Sequence, residues 1–64
     1  MKNKMTIHIP ELDHYSNSWI VTRTAGGAVI GEFHERSNVE KFNPVTCRVE
    51  TAYQYLSRIN GGVK

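Results

Sequence analysis

At 64 residues, with 39% hydrophobic and 22% charged residues and a net charge of +2, the chain reads as one small domain over 1–64, with no material for a second. Cys47 is the only cysteine, which excludes an internal disulfide and fits a reducing compartment, and the mild positive charge falls short of the basic bias of a dedicated nucleic-acid binder. The longest apolar runs are far below the roughly 20 residues that span a bilayer, and the segment over 6–11 is too short and polar for a signal-peptide core. A cytoplasmic protein with no membrane association is therefore expected.

In chain order, Met5, Ile7 and Ile9 alternate with Thr6 and His8, which predicts a short strand over 5–9 that Pro10 stops. Residues 11–18 are polar and read as a loop, with Tyr15 as its anchor. The next signal is a hairpin over 19–34, two runs rich in β-branched and aromatic residues around Ala25-Gly26-Gly27. A two-residue turn would set Val21 against Glu32 and Arg23 against Ile30, mixing polar and apolar groups. A three-residue loop pairs Trp19 with Phe33, Val21 with Gly31 and Arg23 with Val29, and so gives one apolar face.

Ser37-Asn38-Val39-Glu40 has the form of a capping box and predicts a short helix over 38–42, ended by Asn43-Pro44. Alternation over 45–50 predicts a strand with Val45, Cys47 and Val49 inward. Thr51-Ala52-Tyr53-Gln54 is a second capping box, opening a helix over 52–60. Ala52, Tyr55, Leu56 and Ile59 fall on one face of that helix, taken as its core side, and Gly61 stands at its C-cap. The expected fold class is α+β: a small antiparallel or mixed sheet of three to four strands, with both helices packed on one face.

No residue set carries catalysis. Cys47 sits in the apolar half of a strand and lacks the partnered environment of a reactive thiol. His8, Asp13, His14 and His34 show no metal-ligand spacing, and a domain this small rarely encloses a ligand cleft. The expectation is a non-enzyme without cofactor or metal. With the helices over Val21 and Val49, the outer sheet face would carry Ile20, Thr22, Ile30, Glu32, Thr46 and Arg48. Two isoleucines on a polar face mark a candidate contact patch, with Ile20, Thr22, Ile30, Glu32 and Arg48 as the partner-binding set. The alternative is nucleic-acid binding, for which Arg23, Arg48 and Arg58 are the candidates.

From Ser18 onward the chain resembles small uncharacterised proteins of bacteriophage and prophage genomes. The resemblance rests on Ser18-Trp19-Ile20-Val21, on Gly31-Glu32-Phe33, and on the run from Val49 through Thr51-Ala52-Tyr53-Gln54 to Asn60. It implies an accessory protein of a phage or mobile element, a kind that often binds a host protein or nucleic acid stoichiometrically. The leading expectation is a host-protein binder acting as an inhibitor or modulator, and the isoleucine patch also allows a homodimer. It assigns no residue a function.

Overall fold

The computed structural model describes residues 6–61, which form a small α+β fold. The elements run β1 (Trp19–Arg23), β2 (Val29–Phe33), α1 (Arg36–Val39), β3 (Cys47–Thr51) and α2 (Ala52–Ile59). The strands make one antiparallel sheet in the order β2-β1-β3, so β1 is central and the other two are edges.

Trp19 pairs with Phe33 and Val21 with Gly31, as the coherent apolar face requires. Beyond Val21 the register changes: Thr22, and not Arg23, pairs with Val29, because β2 bulges by one residue there. The loop is correspondingly four residues, closed by the Arg23 amide on the Ala28 carbonyl (2.8 Å) and the Gly27 amide on the Arg23 carbonyl (3.1 Å). Gly26 and Gly27 take φ of 87° and 74°, a left-handed backbone that side chains disfavour. The bulge turns Val29, expected inward, out to solvent. Gly31 has a different reason to be glycine: a Cβ there would lie 3.1 Å from the Phe33 ring, which folds back over it and meets Phe42 at 5.4 Å between centroids.

The core consists of Ile7, Ile9, Trp19, Val21, Val39, Cys47 and Val49, with Phe33 and Phe42 packed against it. Ile7 and Ile9 are buried as the alternation implies, but residues 6–9 form no strand, and Met5 lies outside the described residues. The Trp19 indole fixes this segment by donating from Nε1 to the Pro10 carbonyl at 2.8 Å.

The short helix starts earlier than its box predicts. Glu35 is the N-cap, without a side-chain hydrogen bond, and Ser37 lies inside the first turn. Glu40, which would have reached back, pairs with Arg36 at 3.4 Å instead. The third strand starts later than expected, at Cys47. Asn43 holds a turn through its side chain to the Val45 amide (2.8 Å) and its carbonyl to the Thr46 and Cys47 amides, leaving Val45 66% exposed.

The second capping box forms in full. Thr51 Oγ1 accepts from the Gln54 amide, and Gln54 Oε1 accepts from the Thr51 amide, each at 3.1 Å. Gly61 closes the helix with φ of 86°. Where the periodicity turned the apolar stripe of this helix inward, the structure leaves it half outside. Leu56 and Ile59 are each 51% exposed and no α2 residue is buried.

Candidate functional site

Two faces of the sheet follow from strand alternation. Trp19, Val21, Cys47 and Val49 point into the core, and Ile20, Thr22, Arg48 and Glu50 point the other way. On that second face Ile20 stands between Glu32 and Glu50, and Thr22 between Val29 and Arg48. By alternation with Gly31, Ile30 also belongs there, 41% exposed at the bulge. All five partner-binding candidates, Ile20, Thr22, Ile30, Glu32 and Arg48, therefore share one side of the sheet. They differ in access: Ile30, Glu32 and Arg48 are exposed, Ile20 is half-buried, and Thr22 is sealed between its neighbours.

The same face carries a buried carboxylate, Glu50, that lies outside the partner-binding set read from the sequence. Glu50 accepts two parallel hydrogen bonds from Arg58, Nε at 2.9 Å and Nη2 at 2.8 Å, with Arg48 Nη2 at 3.7 Å. This fork places α2 on the Glu50 side, whereas both helices were expected over Val21 and Val49, where only Val39 of α1 packs. The Tyr55 ring, 5.7 Å from the guanidinium carbon, backs the fork. Glu32 is held in turn by the buried Ser18, whose hydroxyl donates at 2.7 Å.

The three arginines proposed for nucleic acid do not gather into a basic patch. Arg48 and Arg58 converge on one carboxylate, while Arg23 lies opposite Cys47, on the other face. Among the described residues no three His, Cys, Asp or Glu side chains form a metal-binding group. Cys47 is a buried free thiol in contact with the Thr46 hydroxyl at 3.6 Å. An open groove of about 730 Å³ runs along β3, larger than a chain of this length was expected to hold.

The Arg58 fork holds the Glu50 carboxyl below the usual carboxylate range, outweighing burial, which acts in the opposite sense. A lowered folded-state pKa adds stability above the unfolded value of about 4.3, and that stability is lost as pH falls through the folded value. The Asp13 carboxyl is lowered as well. Burial pulls its carboxyl upward, and hydrogen bonds from Ser16, the Tyr15 amide and Thr51 hold it low nonetheless. Urea melts from pH 6 to pH 2 are expected to show a shallower acid loss for Glu50→Gln than for the parent. Identical pH profiles would mean the fork does not form in solution.

The comparisons supply no relative to interpret this face by: no family model, no curated protein and no solved structure matches the chain.

Proposed function

We propose that the chain is a non-catalytic binding protein of the phage accessory type, acting in the cytoplasm of a bacterial host and engaging a host protein through the Glu50 side of the sheet. One observation carries this. A domain of this size needs most of its apolar surface for its own core, yet Ile30 on β2 and Leu56 and Ile59 on α2 stand about half exposed, and Glu32 on β2, Arg48 on β3 and Arg58 on α2 are exposed charges. Apolar anchors inside a polar rim are the composition of a protein-contact surface. The matching partner surface is apolar at its centre and mixed in charge at its edge. No helix among the described residues is long and apolar enough to cross a membrane. Nucleic acid is the weaker reading, since Arg58 spends its guanidinium on Glu50.

Affinity capture from nuclease-treated bacterial lysate, with the parent chain and with Ile30→Lys as baits, tests the proposal. A protein retained by the parent and lost with the variant is expected. Retention that disappears on nuclease treatment alone would transfer the function to nucleic acid. Equal retention by both baits would clear Ile30 of any role.

A further inference from the structure

The two sheet edges are not equivalent. β2 is interrupted by its bulge, a device that blunts an edge against further pairing, whereas β3 is regular over all five residues and borders the 730 Å³ groove. Across that groove stand Thr6, Ile7, His8 and Pro10.

The hydrogen-bond polarity of β3 can be followed residue by residue. The Thr24 amide donates to the Thr46 carbonyl at 3.0 Å and the Ala52 amide to the Ser18 carbonyl at 3.1 Å, so even-numbered residues of this strand bond to β1. The backbone groups of Cys47, Val49 and Thr51 then face the free edge. The Cys47 amide is taken by the Asn43 carbonyl at 2.9 Å and the Thr51 amide by Gln54. The Val49 amide, the Val49 carbonyl and the Cys47 carbonyl are left, with no backbone partner among the described residues.

From this we infer that β3 accepts an extended peptide as a fourth strand, lying in the groove and carrying an acidic side chain beside Arg48. The backbone supplies one donor and two acceptors, the set that strand addition uses for affinity. The volume falls within the roughly 300 to 1,000 Å³ of ligand clefts, and five residues of β3 offer an edge of about 16 Å. The acidic preference comes from charge. Both Glu50 oxygens are occupied by Arg58, so Arg48, exposed and held only at 3.7 Å, has attraction to spare, and His8 lines the same groove. The site goes beyond the contact face proposed above, since it uses backbone at an edge and none of Ile30, Leu56 or Ile59.

The test is a ¹⁵N NMR titration of the full chain with a blocked hexapeptide alternating valine and threonine around one glutamate, and with its lysine counterpart. At saturation with the glutamate peptide, the Val49 amide is expected to shift and its hydrogen exchange to slow by about tenfold or more. Arg48→Glu, a change at an exposed position, is expected to weaken that peptide about fivefold and to favour the lysine one. Perturbation confined to residues 30–32, or to α2, would overturn the assignment, as would no response at millimolar peptide. Binding that emerges only after removal of residues 1–5 would give the groove to the chain's own amino-terminal segment and overturn it as well.

Discussion

Trp19→Ala is expected to unfold the domain outright. Trp19 sits on the central strand between Phe33 and Thr51, is 7% exposed, and ties the 6–10 segment to the sheet through the Pro10 carbonyl. Truncating a buried tryptophan costs about 3 to 5 kcal/mol through lost transfer free energy and the cavity left behind. A single core of this size supplies roughly 3 to 5 kcal/mol in total, so the two quantities cancel. Circular dichroism and a one-dimensional proton spectrum would register the loss as collapsed dispersion and no cooperative melt. Trp19→Phe keeps most of the ring and gives up the indole hydrogen bond, at about 1 kcal/mol plus a smaller cavity, and is expected to stay folded with a lower Tm. A cooperative, native-like Trp19→Ala would mean that the core does not depend on this residue.

The second large effect is on binding and leaves the fold alone. Leu56→Lys combined with Ile59→Lys alters two side chains that are half exposed on a helix with no buried residue, so a stability loss of about 1 kcal/mol or less is expected. If the Glu50 side is the contact surface, the same pair removes two apolar anchors and brings in two cations. A loss of at least about 30-fold in partner affinity follows, corresponding to the roughly 2 kcal/mol that defines an interface hot spot. Thermal melts and calorimetric titration against the captured partner measure the two halves. A collapse in Tm would show that α2 packs inward after all, and unchanged affinity would move the contact surface off this helix.

Local chemistry made much of this fold legible. Thr51 and Gln54 specify their cap by spacing alone, Gly61 its helix end, and the alternation around Cys47 the burial of that thiol, because each depends on residues within a few positions. What escaped needed long-range information. Periodicity shows that Leu56 and Ile59 share a stripe with Tyr55, but not what covers the stripe. That is decided by the Glu50–Arg58 fork, which no local spacing announces. Ser37 and Glu40 satisfy a capping pattern that loses to the Arg36–Glu40 pair, and the bulge beside Val29 follows from a loop one residue longer than the apolar pairing suggested. The candidate face was readable in its membership, since Ile20, Thr22, Ile30, Glu32 and Arg48 fall together by alternation. The groove was not, because its far wall comes from residues 40 positions away in the chain.

The passage from β3 to α2 has no linker: Thr51 ends the strand, caps the helix, donates to Asp13 Oδ2 at 3.2 Å and is fully enclosed, and the next amide already bonds to Ser18. Strand and helix therefore behave as one lever, with no hinge residue to absorb a change in their angle. The opposite holds at Gly26 and Gly27, where nothing lies within 4 Å of an added Cβ. Fusion tags and inserted sequences belong at that tip, and even a single residue inserted at the Thr51–Ala52 joint would rotate the helical stripe by about 100° and carry Arg58 away from its carboxylate.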